Sequence, residues 1–147
     1  MYHKIVWSIT MFLASCSGYR AHVYIQPEYS SIVQEFVDTG RSLGVPIALL
    51  SLDVRSGDPS EFKNPQELAF CEINPGMTPQ VVVRKSYWDA AGISDRRELL
   101  FHELGHCVLG KPHRDDHVCI MNTYHLGPKV YNPATYAYFD RDLFLTE

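Results

Sequence analysis

The sequence predicts a small α+β domain: a short mixed β-sheet packed on one long helix, with a further helix near the C-terminal end. Three observations predict it. Residues 28–43 and 94–109 carry apolar side chains at helical spacing. Between them lie three short apolar runs, 45–54, 67–73 and 80–86, separated by segments rich in Gly, Pro, Asn and Asp. A last helical pattern follows an Asn-Pro pair at 132–133.

Taken in order, residues 1–15 read as a targeting segment. Lys4 supplies a positive start, and Ile5–Ala14 is an apolar run too short to span a bilayer as a permanent helix. Its end, Leu13-Ala14-Ser15-Cys16-Ser17, resembles the lipobox of bacterial lipoproteins. That resemblance implies a lipidated Cys16, a membrane anchor and a place at the bacterial cell envelope, with Ser17 favouring the outer membrane. Residues 16–27 are then the lipidated cysteine and a tether, and 28–147 form one domain. The chain of 147 residues is 46% hydrophobic, enough for one modest core. A formal charge of −4 without any basic run excludes general affinity for nucleic acid.

In the helix over 28–43, Ile32, Val33, Phe36, Val37 and Leu43 share one face. The run 45–54 is a strand with Pro46 at its start, where a missing donor is tolerated. Residues 55–65 are a loop, 67–73 a second strand, 74–76 a turn and 80–86 a third strand. Tyr87-Trp88 leads into the next helix, with Trp88 a core anchor. That helix is capped by Ser94 or Asp95 with Glu98 in its first turn, and Leu99, Leu100, Leu104, Cys107 and Val108 form its apolar stripe. In the final segment Asn132-Pro133 is an N-cap and first-turn pair, followed by Tyr136, Phe139, Leu143 and Phe144 at helical spacing.

The long helix carries His102-Glu103-Leu104-Gly105-His106, and His113 follows seven residues later. At i and i+4 the first two histidines stack on one helix face and can reach one metal ion, with Glu103 beside them. Gly110 supplies a left-handed stop that lets the chain fold back and bring His113 to the same point. Three histidines with an open position match the zinc sites that hydrolases use. Asp115, Asp116 and His117 are alternative ligands, or partners that orient a ligand histidine, and Asp140 is a further candidate ligand.

The stretch from His102 to Asn122 resembles the metzincin branch of zinc metallopeptidases, with helix motif, glycine turn, third histidine and Met121 as a Met-turn in that order. One residue separates it from the family pattern, since the glycine and His113 each come one position late and Pro112 occupies the strict ligand position. The resemblance implies a small metzincin-like zincin domain with one catalytic Zn2+ held by His102, His106 and His113. It also implies peptide-bond hydrolysis with Glu103 as general base, and Met121 as a floor beneath the imidazoles. An edge strand before the motif helix would bind a peptide or protein substrate by strand addition, a role for the second or third strand. Tyr124 is a candidate transition-state stabiliser, one residue later than the family's tyrosine. The alternative is a zinc-binding lipoprotein without activity, or a degenerate peptidase serving as a binding module; Glu103 and the absence of a fourth clustered ligand favour the enzyme. Beyond Cys16, Cys71, Cys107 and Cys119 allow at most one bridge, whose pairing the sequence leaves open, and Cys107 faces away from the metal.

Overall fold

A computed structural model describes residues 22–146, so the targeting segment, Cys16 and most of the tether lie outside the described residues. The elements run β1 (His22–Ile25), α1 (Pro27–Ser42), β2 (Ser51–Gly57), β3 (Ala69–Glu72), β4 (Gln80–Arg84), α2 (Lys85–Ala90), α3 (Ile93–Cys107) and α4 (Tyr136–Leu145). The fold is α+β, with a four-stranded mixed sheet in the order β1-β2-β4-β3. β1, β2 and β4 are parallel, and β3 runs antiparallel to β4 at the sheet's edge. Helix α1 makes the crossover that a parallel β1–β2 pair requires.

Alternation along the strands sends Leu52 and Val54 of β2, with Val81 and Val83 of β4, into the main core. There they meet Tyr29, Ile32, Val33 and Phe36 of α1 and Leu100, Phe101 and Leu104 of α3. Trp88 is buried against Tyr29, edge to face, as the core anchor expected of it. On the other face Val82 is covered by Phe62 and Phe70, which explains why three successive valines are all buried. Phe144 of α4 closes the core against Phe36 and Phe101.

Several local expectations need correction. Residues 45–50 form no strand: they alternate between half-buried and exposed, Pro46 offers no donor, and ladder pairing with β1 begins at Ser51. The strand instead runs through Gly57, into the segment expected to be loop, because β4 pairs with it as far as Arg84. The third strand stops at Arg84, and a short helix, α2, occupies 85–90, where the end of that strand and a simple connection were expected. Helix α3 begins at Ile93 with Gly92 as its N-cap and no side-chain cap; Ser94 instead bonds the Tyr136 hydroxyl, Asp95 faces His125, and Glu98 lies beyond the first turn. The last helix starts at Tyr136, since Asn132–Thr135 form a separate turn closed by Asn132 and Thr135 side chains.

Candidate metal centre

His102 and His106 project from α3 one turn apart into a cleft of about 550 Å3. Beyond Cys107 the helix ends in a widened turn. The Leu109 N–H reaches back five residues to the Leu104 carbonyl (3.4 Å), and the Lys111 N–H reaches back six to that of Gly105 (2.9 Å). Gly110 sits between them at φ +66°, a conformation that penalises any residue with a Cβ. This wide turn takes up the long spacing and returns His113 to the other two. The Nε2 atoms of His106 and His113 each lie 3.1 Å from Nε2 of His102.

The protonation pattern says what this cluster fits. Nδ1 of His102 donates to the Ile120 carbonyl (2.7 Å), and Nδ1 of His106 donates to the Lys111 carbonyl (2.6 Å). A carbonyl only accepts, so in each neutral ring Nε2 carries a lone pair. Burial holds His102 neutral, with its pKa down at about 4, and burial also lowers that of His106. Lone pairs therefore converge on one point, an arrangement that a bound cation relieves. Tetrahedral zinc with bonds of roughly 2.0–2.1 Å would separate its nitrogens by about 3.3 Å, close to the spacing here. His102, His106 and His113 thus form a group able to hold a metal ion.

Glu103 is 5% exposed and lines the same cleft. Burial pushes its carboxyl up to about 8, opposed in part by the backbone N–H of Cys71 on β3. That edge strand forms one wall through Ala69, Phe70 and Cys71, while β4 lies inside the sheet, so of the two strands considered only β3 borders the cleft. Met121 is buried with its Sδ against Gly105 of α3.

Other candidates fall elsewhere. Asp115 accepts from the Thr123 backbone and hydroxyl and from the Asn122 amide, while Asp116 pairs with Arg114 and His117. Neither orients a clustered histidine; the Ile120 and Lys111 carbonyls do that for His102 and His106. His117 turns to Asp142, and Asp140 is taken by the Arg97 guanidinium in a two-pronged ion pair. Tyr124 stands exposed on the cleft rim. Cys107 is neither ligand nor simple core residue, because it forms a disulfide with Cys71 that ties α3 to β3, leaving Cys119 as the free thiol among the described residues.

Two features had little sequence signal. Asn122 knots the 114–122 segment by donating to the Arg114 and His117 carbonyls and accepting from the Cys119 N–H. Glu98, 2% exposed, accepts from the Leu126 and Gly127 N–H groups and faces His125, fastening the cleft rim to α3. A buried glutamate within a helical apolar face was the one available hint. Comparison with protein families, with curated proteins and with solved structures finds no match.

Proposed function

We propose that this chain is a zinc-dependent peptide-bond hydrolase of metzincin-like design, acting as a lipid-anchored protein at the bacterial cell envelope. The observation that carries the reading is the convergence of three imidazole Nε2 atoms beside a buried glutamate in a cleft walled by an edge strand. Zinc held by His102, His106 and His113 would supply Lewis-acid polarisation of a carbonyl and acidification of water. The carbonyls of Ile120 and Lys111 fix two ligand rings in the tautomer that presents Nε2. Glu103 takes the proton from the attacking water and passes it to the leaving amine. Among the described residues no strand covers the outer edge of β3, and its backbone groups other than the Cys71 N–H, which Glu103 engages, are open to an extended peptide laid across the site.

The test joins metal content to turnover. The protein should hold zinc through these histidines, with a clear loss in His113→Ala, and should cleave a mixed peptide pool. Glu103→Gln should retain the metal yet lose about 10²–10⁴-fold in kcat. Full peptidase activity in that variant would remove Glu103 as base. Zinc binding without any cleavage by the parent would leave the non-catalytic metal-binding reading.

A further inference from the structure

We propose that His117, Cys119 and Asp142 form a second metal site, of structural type, suited to zinc or a similar borderline divalent cation. Their ligating atoms lie within 4.8 Å of one another, outside the cleft. The sulfur of Cys119 is buried, and with Cys71 and Cys107 bridged it is the one thiol among the described residues available to a metal. His117 is already set as a ligand would be. Its Nδ1 lies 3.1 Å from the Asp116 carboxylate, which fixes the ring, and its Nε2 donates to the Asp142 carboxylate at 3.0 Å, through a proton that a shared ion would displace. A carboxylate behind one nitrogen with the other nitrogen facing the ion is the arrangement that metal-bound histidines adopt.

Thiolate, imidazole and carboxylate together favour zinc over calcium or magnesium, which take oxygen ligands. On binding, the thiol proton and the His117 Nε2 proton both pass to solvent, and no electron moves. Arg114 faces the same cluster, but its guanidinium is engaged by Asp116 and the Thr146 hydroxyl. A third cluster, Asp95, Glu98 and His125, carries no such case: the Glu98 oxygens are already filled by two backbone N–H groups.

The position gives the site a purpose. Residues 108–135 contain no helix or strand, yet they supply the Ile120 carbonyl that orients His102 and the Met121 side chain beneath α3. Asp142 lies on α4. An ion shared by His117, Cys119 and Asp142 would clamp that irregular segment to a helix, a staple of the kind small domains use where core burial is limited.

Cobalt(II) loading of the full-length metal-free protein, without reductant, tests this. A cobalt–thiolate bond gives an intense near-ultraviolet charge-transfer band; the three-histidine cluster has no sulfur, so with the Cys16 sulfur blocked by lipidation or replaced in Cys16→Ser the band reports Cys119 alone. The expected result is about two cobalt ions per chain together with the band. Cys119→Ser should lose the band and one ion, whereas His102→Ala/His106→Ala should lose the other ion and keep the band. Loss of cobalt from the histidine cluster alone would therefore count against the peptidase reading and leave this one standing. Asp142→Asn, which keeps the thiol, should weaken loading of the band by on the order of tenfold or more. A folded, cobalt-saturated parent with no band overturns the proposal, as does a band that survives in Cys119→Ser or is unaltered in Asp142→Asn.

Discussion

Gly105 sits inside α3 between the two histidines, where glycine costs about 1 kcal/mol relative to alanine in an ordinary helix. Here the sign should reverse. A Cβ at this position would lie 2.5 Å from the Met121 sulfur and 3.2 Å from Leu143, so alanine would push the Met121 side chain and α4 away from the helix. Gly105→Ala should therefore destabilise the protein by about 1–3 kcal/mol, read from its denaturant midpoint. A stabilised variant would mean that Met121 has room to yield. The same few residues show what a sequence discloses at this scale. The spacing of His102, His106 and His113 was legible because side-chain chemistry and helical period coincide. The Ile120 and Lys111 carbonyls that aim two of those rings were not, since every residue has a carbonyl and only the folded chain selects which one serves. The aspartates at 115 and 116 drew attention as charged neighbours, yet a loop with its own N–H groups and Arg114 absorbed them first.

At the scale of elements, the three longer helices were legible from periodicity, and the edge strand from its short apolar run between turns; the six-residue α2 was too short to show a period. The start of the first long strand was not, because an alternating apolar stretch packs equally well beside a sheet without joining its ladder. What joins β3 to α3 was also out of reach: three cysteines allow several pairings, and only proximity selects Cys71 with Cys107. These two lie 36 residues apart, so reduction, or Cys71→Ser with Cys107→Ser, should cost about 2–4 kcal/mol of stability, measured by denaturant titration with and without reductant. The cleft's other wall hangs on His125. Burial disfavours its charged form, but Glu98 and then Asp95 outweigh this and raise its pKa above the ordinary 6.5. A raised folded-state pKa gives stability that is complete below 6.5 and fades as pH rises through the folded value. The parent should therefore exceed His125→Gln in stability most clearly in mild acid, with the gap closing toward alkaline pH. A gap that stays constant across that range would show that the histidine acts by packing and not by charge.

Across the whole molecule, the order of the elements other than α2 followed from the sequence, but their arrangement required contacts that no local pattern encodes. Only the fold reveals that β1 pairs parallel with β2 and that β3 ends outermost. The residue that ties these parts together is Arg97, which is 3% exposed and looks, in the sequence, like one more charge on a helix. From α3 it grips Asp140 on α4 through two hydrogen bonds, reaches Glu35 on α1 at 2.6 Å, and bonds the Tyr131 hydroxyl. Its guanidinium also lies 3.9 Å from the Phe101 ring centroid and 4.2 Å from that of Tyr136. Three helices and the segment entering α4 thus meet at one cation. Removing it leaves the Asp140 carboxylate buried without a partner, so Arg97→Met should cost about 3–5 kcal/mol. The penalty comes from the stranded charge, more than from the lost attraction, and this makes a second prediction of the same experiment. Adding Asp140→Leu should recover most of the loss, because two apolar groups in that space need no partner. Denaturant midpoints of the parent, the single and the double variant decide it. If the double variant is as unstable as the single one, Arg97 holds the helices through its hydrogen bonds and ring contacts, and the buried aspartate is incidental.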